Sequence, residues 1–264
     1  MHSTEQVARQ YDRISKRYDD WFPDNWPAPV KSEGTALHSL IRDLGHVGTC
    51  NVLDLTCGIG TQAIGLALHG HKITAMDISA GQLGRAEKEE RNIAHPADTP
   101  ITWIKGDAGR AGAYVAGPFD VVISFANSLP LLGSRDKVTS AIQNAHALLK
   151  AGGHIIVSMR DHTLLRKDTP YLIDSGRFQN GQNEGVWLET GEWVDDGYRY
   201  HSHIIFVYTK PEYKTYHYPF PPLDAITKQE TLGLLTECGF TDAEMIDRES
   251  GAFPCPVYSA RKAS

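Results

Sequence analysis

The chain has 264 residues, a length that accommodates one α/β domain with a modest insertion. Its hydrophobic content of 41% and charged content of 22% are ordinary for a globular protein. Its formal net charge of -6 argues against a general polyanion binder, so we expect no nucleic-acid partner.

Cysteine spacing and hydropathy bear on cellular location. No cysteine lies within three residues of another, which argues against a local zinc or redox pair and favours a reducing compartment. Residues 1–20 are polar, and no stretch approaches about 18 uninterrupted apolar residues. We therefore expect a cytoplasmic protein with no metal site, no secretory signal and no membrane partner.

Residues 1–48 are predicted to form a helical arm or lid ahead of the main sheet. Apolar and aromatic residues recur every three or four positions over residues 4–21, which indicates a helix. Three prolines within residues 22–29 remove backbone donors and predict irregular structure, and a second helix is expected over residues 34–44. The residues of the first helical stripe are Val7, Tyr11, Ile14, Tyr18 and Trp21.

Residues 49–160 alternate between buried strands and helices and are predicted to form the cofactor-binding core. Such alternation is typical of a mainly parallel sheet that is covered by helices on both faces. Ligands of these sheets bind in the crevice beyond the carboxyl ends of the strands. The predicted strands are 52–55, 72–76, 101–105, 119–125 and 154–159, and the predicted helices are 61–69, 80–90 and 137–149.

Residues 161–222 are predicted to form an antiparallel β insertion on the acceptor side. Residues 160–185 are polar and glycine-rich, which predicts an irregular segment. The sequence Asp195-Asp196-Gly197 is a hairpin signal. The strands predicted around and after it are 186–194, 198–209 and 214–218.

Residues 223–264 are predicted to complete the main sheet, with a helix at 227–238 and strands at 244–247 and 257–260. The expected class is therefore α/β. We expect a Rossmann-like seven-stranded sheet, mostly parallel with an antiparallel last strand, and helices on both of its faces.

A glycine turn joins the first core strand to the first core helix. It places Gly58 and Gly60 where backbone can approach a ligand closely, because glycine has no Cβ and accepts positive φ. Gly58-x-Gly60-x-x-Ala63 also matches the dinucleotide fingerprint, and Tyr258-x-x-x-Lys262 has a spacing used by dehydrogenases. An NAD(P)-dependent oxidoreductase is therefore one alternative.

Acidic residues at three successive strands favour a different cofactor. Asp77 can take both hydroxyls of an adenosine ribose, and Asp107 can accept from an adenine amino group. Asp54 is buried in the first strand and needs donors or a cation, which a ligand with a positively charged amino-acid tail could supply. A dinucleotide has no such tail, and its pyrophosphate favours a helix N-terminus. The acids therefore predict S-adenosylmethionine.

The pattern resembles the class I S-adenosylmethionine-dependent methyltransferases, and within them the glycine N-methyltransferase group. The general motifs cover residues 50–160. The segment at 165–200 departs from the family pattern, so the resemblance does not extend to glycine as the acceptor. The narrower likeness rests on Phe119-Asp-Val-Val-Ile-Ser-Phe-Ala-Asn127-Ser-Leu-Pro, Gly152-Gly-His-Ile-Ile-Val-Ser-Met-Arg160, Tyr216-His-Tyr218-Pro and Pro254-Cys-Pro-Val-Tyr.

The resemblance implies cofactor contacts. Residues that match Asp77, Gln82-Leu83 and Asp107-Ala108 surround the ribose and adenine in that family. In the arm, Tyr11, Trp21, Trp26 and Lys31 are candidates for closing over the cofactor. The full set predicted for the cofactor is Tyr11, Trp21, Lys31, Asp54, Thr56, Gly58, Gly60, Asp77, Ile78, Gln82, Asp107, Ala108, Phe125 and Ala126.

The resemblance also implies acceptor contacts. Asn127 and Arg160 would touch the acceptor, with the Arg160 guanidinium taking a carboxylate, as its planar geometry allows. The glycine-binding tyrosine of the family matches either Tyr216 or Tyr218.

These residues predict methyl transfer to a nitrogen of a small molecule, either an amino acid or a nitrogen heterocycle. Such a transfer needs a lone pair held close to the methyl carbon, and no strong base. An O- or C-methyltransferase on the same fold is an alternative, with His162 or His217 as the general base of an O-methyltransferase. A non-catalytic cofactor-binding module is another. We expect a monomer or a homodimer.

Overall fold

A computed structural model describes residues 4–20, 27–93, 100–162, 170–194, 198–246 and 252–264. These residues form two sheets and the helices that cover them. No helix in these ranges is long and apolar enough to cross a membrane.

The first sheet has seven strands in the order β11-β12-β5-β4-β1-β2-β3. β12 pairs antiparallel with β5 and β11, and the other pairs are parallel, which confirms the predicted fold class. The strands are β1 (Asn51–Asp54), β2 (Lys72–Asp77), β3 (Thr102–Lys105), β4 (Phe119–Ser124), β5 (Leu149–Ser158), β11 (Phe240–Ile246) and β12 (Val257–Lys262).

Helices bury an apolar core against each face of this sheet. One core joins α5 and α6 to the sheet through residues such as Ala141 and Leu234. The other joins α2 and α3 to the opposite face through Leu37 and Ile64. The helices are α1 (Thr4–Ile14), α2 (Pro27–Asp43), α3 (Thr61–Leu68), α4 (Ala80–Asn92), α5 (Arg135–Leu148) and α6 (Lys228–Glu237).

The second sheet is antiparallel and is built from the insertion. β8 lies at its centre, with β7 on one side and both β9 and β10 on the other, and β6 forms the outer edge beyond β7. Ile14 of α1 packs with Trp187 and Phe206 in a third, smaller core, so the arm is held by this sheet. The strands are β6 (Tyr171–Asn180), β7 (Asn183–Val194), β8 (Arg199–Lys210), β9 (Lys214–Pro219) and β10 (Leu223–Asp224).

The predicted start of the second helix is wrong. α2 begins at Pro27 and not at residue 34, so Pro27 and Pro29 lie in its first turn. Proline is tolerated there because the first N–H groups of a helix have no partner within the helix. The first helix ends at Ile14, and residues Ser15–Asp20 continue as a 3-10 helix.

The prediction of an irregular segment over residues 160–185 is also wrong. β6 and the first residues of β7 occupy much of it, and β6 pairs with β7 along its length. Its polar, glycine-rich sequence suits an edge strand, which keeps many side chains in water. β5 and β11 also begin earlier than predicted, at Leu149 and Phe240. The predicted turn at 195–197 lies outside the described residues.

Two glycines allow α2 and α3 to approach closely. A Cβ built on Gly34 would lie 2.5 Å from the Gly65 Cα, and one built on Gly65 would lie 2.6 Å from the Val30 carbonyl oxygen. Both contacts are with backbone, which no side-chain rotation can relieve. The position of α2 against the sheet therefore depends on these two glycines.

We expect Gly65→Ala to destabilise the protein by about 1–3 kcal/mol, because the added methyl group forces α2 and α3 apart. Urea unfolding measures the change. Gly84→Ala on α4 is the matched control, since a Cβ there meets nothing within 4 Å. It should leave stability unchanged or raise it by up to about 1 kcal/mol, because alanine is the better helix former. Equal effects of the two variants would contradict this account of the packing.

Candidate active site

The glycine turn between β1 and α3 has the positive φ angles that its glycines allow. Gly58 and Gly60 have φ values of 53° and 86°. A Cβ at Gly60 would lie 2.7 Å from the Trp103 ring, whereas a Cβ at Gly58 would meet nothing within 4 Å. Gly60 is therefore required for packing behind the turn, and Gly58 keeps the front of the turn open.

A cleft opens in front of this turn, beyond the carboxyl ends of the first four strands. It holds about 1030 Å³ of space outside protein atoms, counting its mouth. A cleft of this size suits a ligand as large as a nucleoside with a side chain. Ten residues predicted for the cofactor line it: Tyr11, Thr56, Gly58, Asp77, Ile78, Gln82, Asp107, Ala108, Phe125 and Ala126.

Asp77 connects the turn to the helix that follows β2. Its carboxylate accepts from the Gly58 N–H at 2.9 Å and from the Ser79 N–H at 2.8 Å. Burial raises the pKa of Asp77 to about 6, while the backbone donors act to lower it. The carboxylate is therefore oriented by the protein and faces the cleft, where it could accept from ribose hydroxyls.

Asp54 lies behind the turn and does not line the cleft. It is 1% exposed, and one oxygen accepts from the Thr56 N–H at 3.2 Å, while the other has no hydrogen-bond partner in the part of the chain that the structure describes. Burial raises its pKa to about 8. Asp54 is therefore placed directly behind the turn that borders the cleft, and its contact with the cofactor stays a prediction.

Gln82 and Asp107 are the polar side chains expected around adenosine. Gln82 is 1% exposed, and neither atom of its amide group has a partner among the described residues. A buried amide without partners costs about 1–3 kcal/mol, so a ligand that pairs with it is favoured. Asp107 accepts from the Gly109 N–H at 2.9 Å and still borders the cleft.

Glu33 of α2 is a site residue that the sequence reasoning missed. Its side chain is buried at the edge of the cleft and accepts a hydrogen bond from the Gln62 amide. Burial raises the pKa of Glu33 to about 7, and the bond from Gln62 lowers it in part. The helical spacing of Val30, Glu33 and Leu37 could have indicated that Glu33 is on the buried face of α2. Because α2 was predicted to begin at residue 34, this spacing was not recognised.

The described lining of the cleft carries acids but no lysine, arginine or histidine. Glu33, Asp77 and Asp107 supply the charged groups. Such a lining favours a ligand with a positive charge and disfavours a pyrophosphate. An adenosine that carries a sulfonium and an ammonium fits it.

The N-terminal arm covers one side of the cleft. The Asp12 carboxylate of α1 accepts from the Ser79 hydroxyl at 2.6 Å and from the Gly81 N–H at 2.8 Å, at the start of α4. This contact brings Tyr11 and Tyr18 to the cleft.

A second cavity adjoins the cleft on the side of the antiparallel sheet. Counting its mouth, it has about 1050 Å³ of space outside protein atoms, and it includes Asn127 and Arg160, two of the residues predicted for the acceptor. Side chains of β7 and β8, such as Trp187 and Tyr200, form its far wall. The lining residues common to both cavities are Tyr11, Tyr18, Ala126, Leu131 and Pro254.

Asn127 and Arg160 meet where β4 and β5 end. Asn127 has a φ of 58°, its N–H donates to the Ser158 carbonyl at 2.9 Å, and its side-chain oxygen accepts from the Arg160 N–H at 3.0 Å. The Arg160 guanidinium donates both arms to the Glu189 carboxylate, at 3.1 and 3.2 Å. The pair of predicted residues is thus brought together, but Arg160 already has a carboxylate partner.

Other predicted residues lie away from both cavities. Lys31 is on the exposed face of α2. The Tyr216 ring lies under the Arg17 guanidinium, 3.4 Å from its carbon, and Tyr218 is buried in the third core. Both tyrosines are on β9, and neither lines the cofactor cleft or the second cavity. Trp21 and Trp26 lie outside the described residues.

The two histidines considered as general bases are both engaged by other groups of the protein. The ring nitrogens of His162 contact the Ile226 carbonyl at 2.7 Å and the Tyr200 hydroxyl at 3.0 Å. Burial lowers the pKa of His162 to about 4. His217 contacts His203 at 2.9 Å. Neither histidine lines the cleft or the second cavity.

Comparison with known proteins agrees with the fold. A family model described as a methyltransferase domain matches residues 52–153. The glycine/sarcosine N-methyltransferase of Aphanothece halophytica is 28% identical over 241 residues, covering 89% of this chain and 84% of the relative. Glycine N-methyltransferase of Homo sapiens is 32% identical over 137 residues, covering 47% and 46%. Among solved structures, the CcbJ methyltransferase from Streptomyces caelestis has a TM-score of 0.73 at 18% identity, covering 98% and 99%.

These findings support the assignment of the protein as a class I S-adenosylmethionine-dependent methyltransferase. The relatives that it resembles include enzymes named for N-methylation of glycine and sarcosine. S-adenosylmethionine supplies an electrophilic methyl group, and the acid-lined cleft with the unpaired Gln82 amide fits its charge and its adenosine.

The oxidoreductase alternative is therefore wrong. Tyr258 is fully buried in β12, and the Lys262 ammonium donates to the His146 and Leu149 carbonyls at 2.8 Å each. Both residues of this Tyr-x-x-x-Lys sequence are on β12, and neither lines the cleft.

We expect Glu33→Gln to weaken binding of S-adenosylhomocysteine by about tenfold, because a neutral amide cannot pair with the ligand's ammonium. Binding of 5′-methylthioadenosine, which lacks the amino-acid tail, should not change. Isothermal titration calorimetry measures both. Equal weakening for the two ligands would contradict a contact with the tail.

Ligand preference and stability should both depend on pH through Glu33. The raised pKa of Glu33 means that the wild-type preference for S-adenosylhomocysteine over 5′-methylthioadenosine should fall as pH drops from 8 to 6. In the ligand-free protein, an acid whose folded pKa is raised destabilises the fold as pH rises through about 7. Thermal unfolding should therefore show that Glu33→Gln is more stable than wild type at pH 8. The difference in stability between the two proteins should be smaller at pH 5.

Proposed function

We propose that the enzyme transfers the methyl group to a nitrogen of a small molecule held in the second cavity. The observation that carries this proposal is the cavity itself, which adjoins the cofactor cleft and includes the Asn127 and Arg160 side chains. Its walls come from the core strands on one side and from the antiparallel insertion on the other. The names of the relatives that align over most of this chain support nitrogen as the methylated atom.

In this proposal the protein positions the nitrogen and excludes water. The lone pair of the nitrogen forms the new bond to carbon while the sulfur–carbon bond breaks and its electron pair stays on sulfur. Tyr11 and Tyr18, which border both cavities, would separate the reacting atoms from solvent. Asn127 lines the second cavity next to Ala126, which borders both cavities, and would orient the acceptor, since its position is fixed by contacts with the end of β5 and the residues that follow it.

The placement of the histidines favours nitrogen over a phenolic oxygen. A phenol must lose a proton to become a good nucleophile, whereas an amine needs only its neutral form. His162 and His217 lie outside both cavities, and the ring nitrogens of His162 are both engaged. The residues proposed as the base of an O-methyltransferase are therefore not available at the acceptor.

We expect Asn127→Asp to lower the rate of methyl transfer by about 100-fold, because it removes the amide donor and adds a charge beside the reacting atoms. Aspartate keeps the oxygen that accepts from Arg160 and tolerates the positive φ. Affinity for S-adenosylhomocysteine should stay within about twofold of wild type, since Asn127 does not line the cleft.

The assay uses purified protein, S-adenosylmethionine and a mixed panel of amines, amino acids and heterocycles, with mass spectrometry to locate the added methyl group. Asn144→Asp on α5 is the control, because its side chain contacts Gly109 and Gly112 away from the acceptor cavity. Methylation of oxygen, or an equal loss in both variants, would overturn the proposed role.

A further inference from the structure

The guanidinium expected to bind an acceptor carboxylate is already neutralised inside the second cavity. Arg160 pairs with Glu189 of β7 through both of its arms, and the two side chains are 23% and 14% exposed. Burial alone would lower the pKa of Arg160, but Glu189 raises it above its ordinary value. A carboxylate ligand would have to displace a bidentate partner that is part of the protein.

Glu189 is held firmly by donors on two sides. Besides the two bonds from Arg160, its Oε1 accepts from the Ser202 hydroxyl of β8 at 3.1 Å. A carboxylate has about four acceptor positions, so three donors leave one free. Arg160 and Ser202 therefore orient Glu189 toward the cavity without saturating it.

A second carboxylate lies on the neighbouring strand, directly opposite Glu189. Asp174 of β6 is the register partner of Glu189, and both border the cavity. Like charges in directly opposed positions of an antiparallel pair destabilise the sheet. Arg160 compensates one of these charges, so a further cation between the two strands would be stabilising.

The rest of the described lining matches a cation. Asp174 and Glu189 outnumber Arg160, which leaves the charged groups of this cavity with a net negative charge. Aromatic faces attract cations. The aromatic side chains that line the cavity are Tyr11, Tyr18, Trp187, Tyr200 and Phe220.

We infer that the acceptor is a small amine that is cationic in water and carries no carboxylate, and that Glu189 and Asp174 select it. This inference rests on the proposed N-methylation and names its substrate class. The ammonium loses one proton to water at the mouth of the cavity, where Asp174 is exposed. Its freed lone pair then forms the bond to the methyl carbon, and sulfur keeps the electrons of the broken bond. Arg160 is a positioning residue for Glu189.

Decarboxylated pairs of ligands test this inference. Methylamine and glycine, ethanolamine and serine, histamine and histidine, and tyramine and tyrosine differ only by the carboxylate. Calorimetry with protein saturated with S-adenosylhomocysteine should give at least about tenfold tighter binding for the amine of each pair that binds. Tighter binding of the amino acids, or no binding by any amine, overturns the inference.

Two variants locate the selectivity. Glu189→Gln frees the Arg160 guanidinium, so binding of the amino acids should rise by about tenfold while binding of the amines falls. Asp174→Asn, at an exposed position with little risk to folding, should weaken the amines by about fivefold without affecting S-adenosylhomocysteine. Glu184→Gln is the matched control, since Glu184 lies on β7 but pairs with Lys210 at the surface. An unchanged preference in both cavity variants also overturns the inference.

The failure of this inference is distinguishable from failure of the proposed function. N-methylated amino acids formed faster than N-methylated amines would retain the function and remove the selectivity. Methyl groups found on oxygen would remove both.

Discussion

Asp77 ends β2 with its carboxylate between two backbone N–H groups, that of Gly58 in the glycine turn and that of Ser79 before α4. A buried carboxylate needs such donors, so the turn and the start of α4 are fixed relative to the strand. Ser79 in turn donates to Asp12 of the arm. The turn, the helix and the arm that border the cofactor cleft are thus positioned around one carboxylate, whose own place is set by the parallel pairing of β1, β2 and β3.

The acceptor side is built differently. Asn127 and Arg160 follow shortly after the ends of β4 and β5, and the antiparallel sheet brings Glu189, Tyr200 and Ser202 to the same cavity. The cofactor half therefore depends on the strand ends of the core, whereas the chemistry offered to the acceptor depends on the insertion. This division explains how one cofactor site can serve different acceptors, because the insertion can change without disturbing the turn.

Both cavities carry more acidic than basic side chains among the described residues. Burial raises the pKa values of Glu33 and Asp54. Ionisation of these buried groups therefore lowers the stability of the ligand-free protein. Buried acids of this kind are typical of sites that compensate their charge with a ligand. On the acceptor side, Glu189 is also a largely buried carboxylate that borders a cavity, and there Arg160 and Ser202 pair with it.

The sequence by itself determined the seven-stranded sheet, the glycine turn and the acids at the strand ends, because hydrophobic periodicity and glycine conformation are local properties. It missed the early start of α2, and with it Glu33, because a helix N-terminus tolerates the prolines that were taken to break it. It also left β6 without structure, since an edge strand of polar residues is stabilised mainly by its partner. The ion pair of Arg160 with Glu189 joins residues 29 positions apart in the chain. Only the tertiary structure brings them together, because no local sequence pattern indicates which side chain of the second sheet contacts a residue that follows β5.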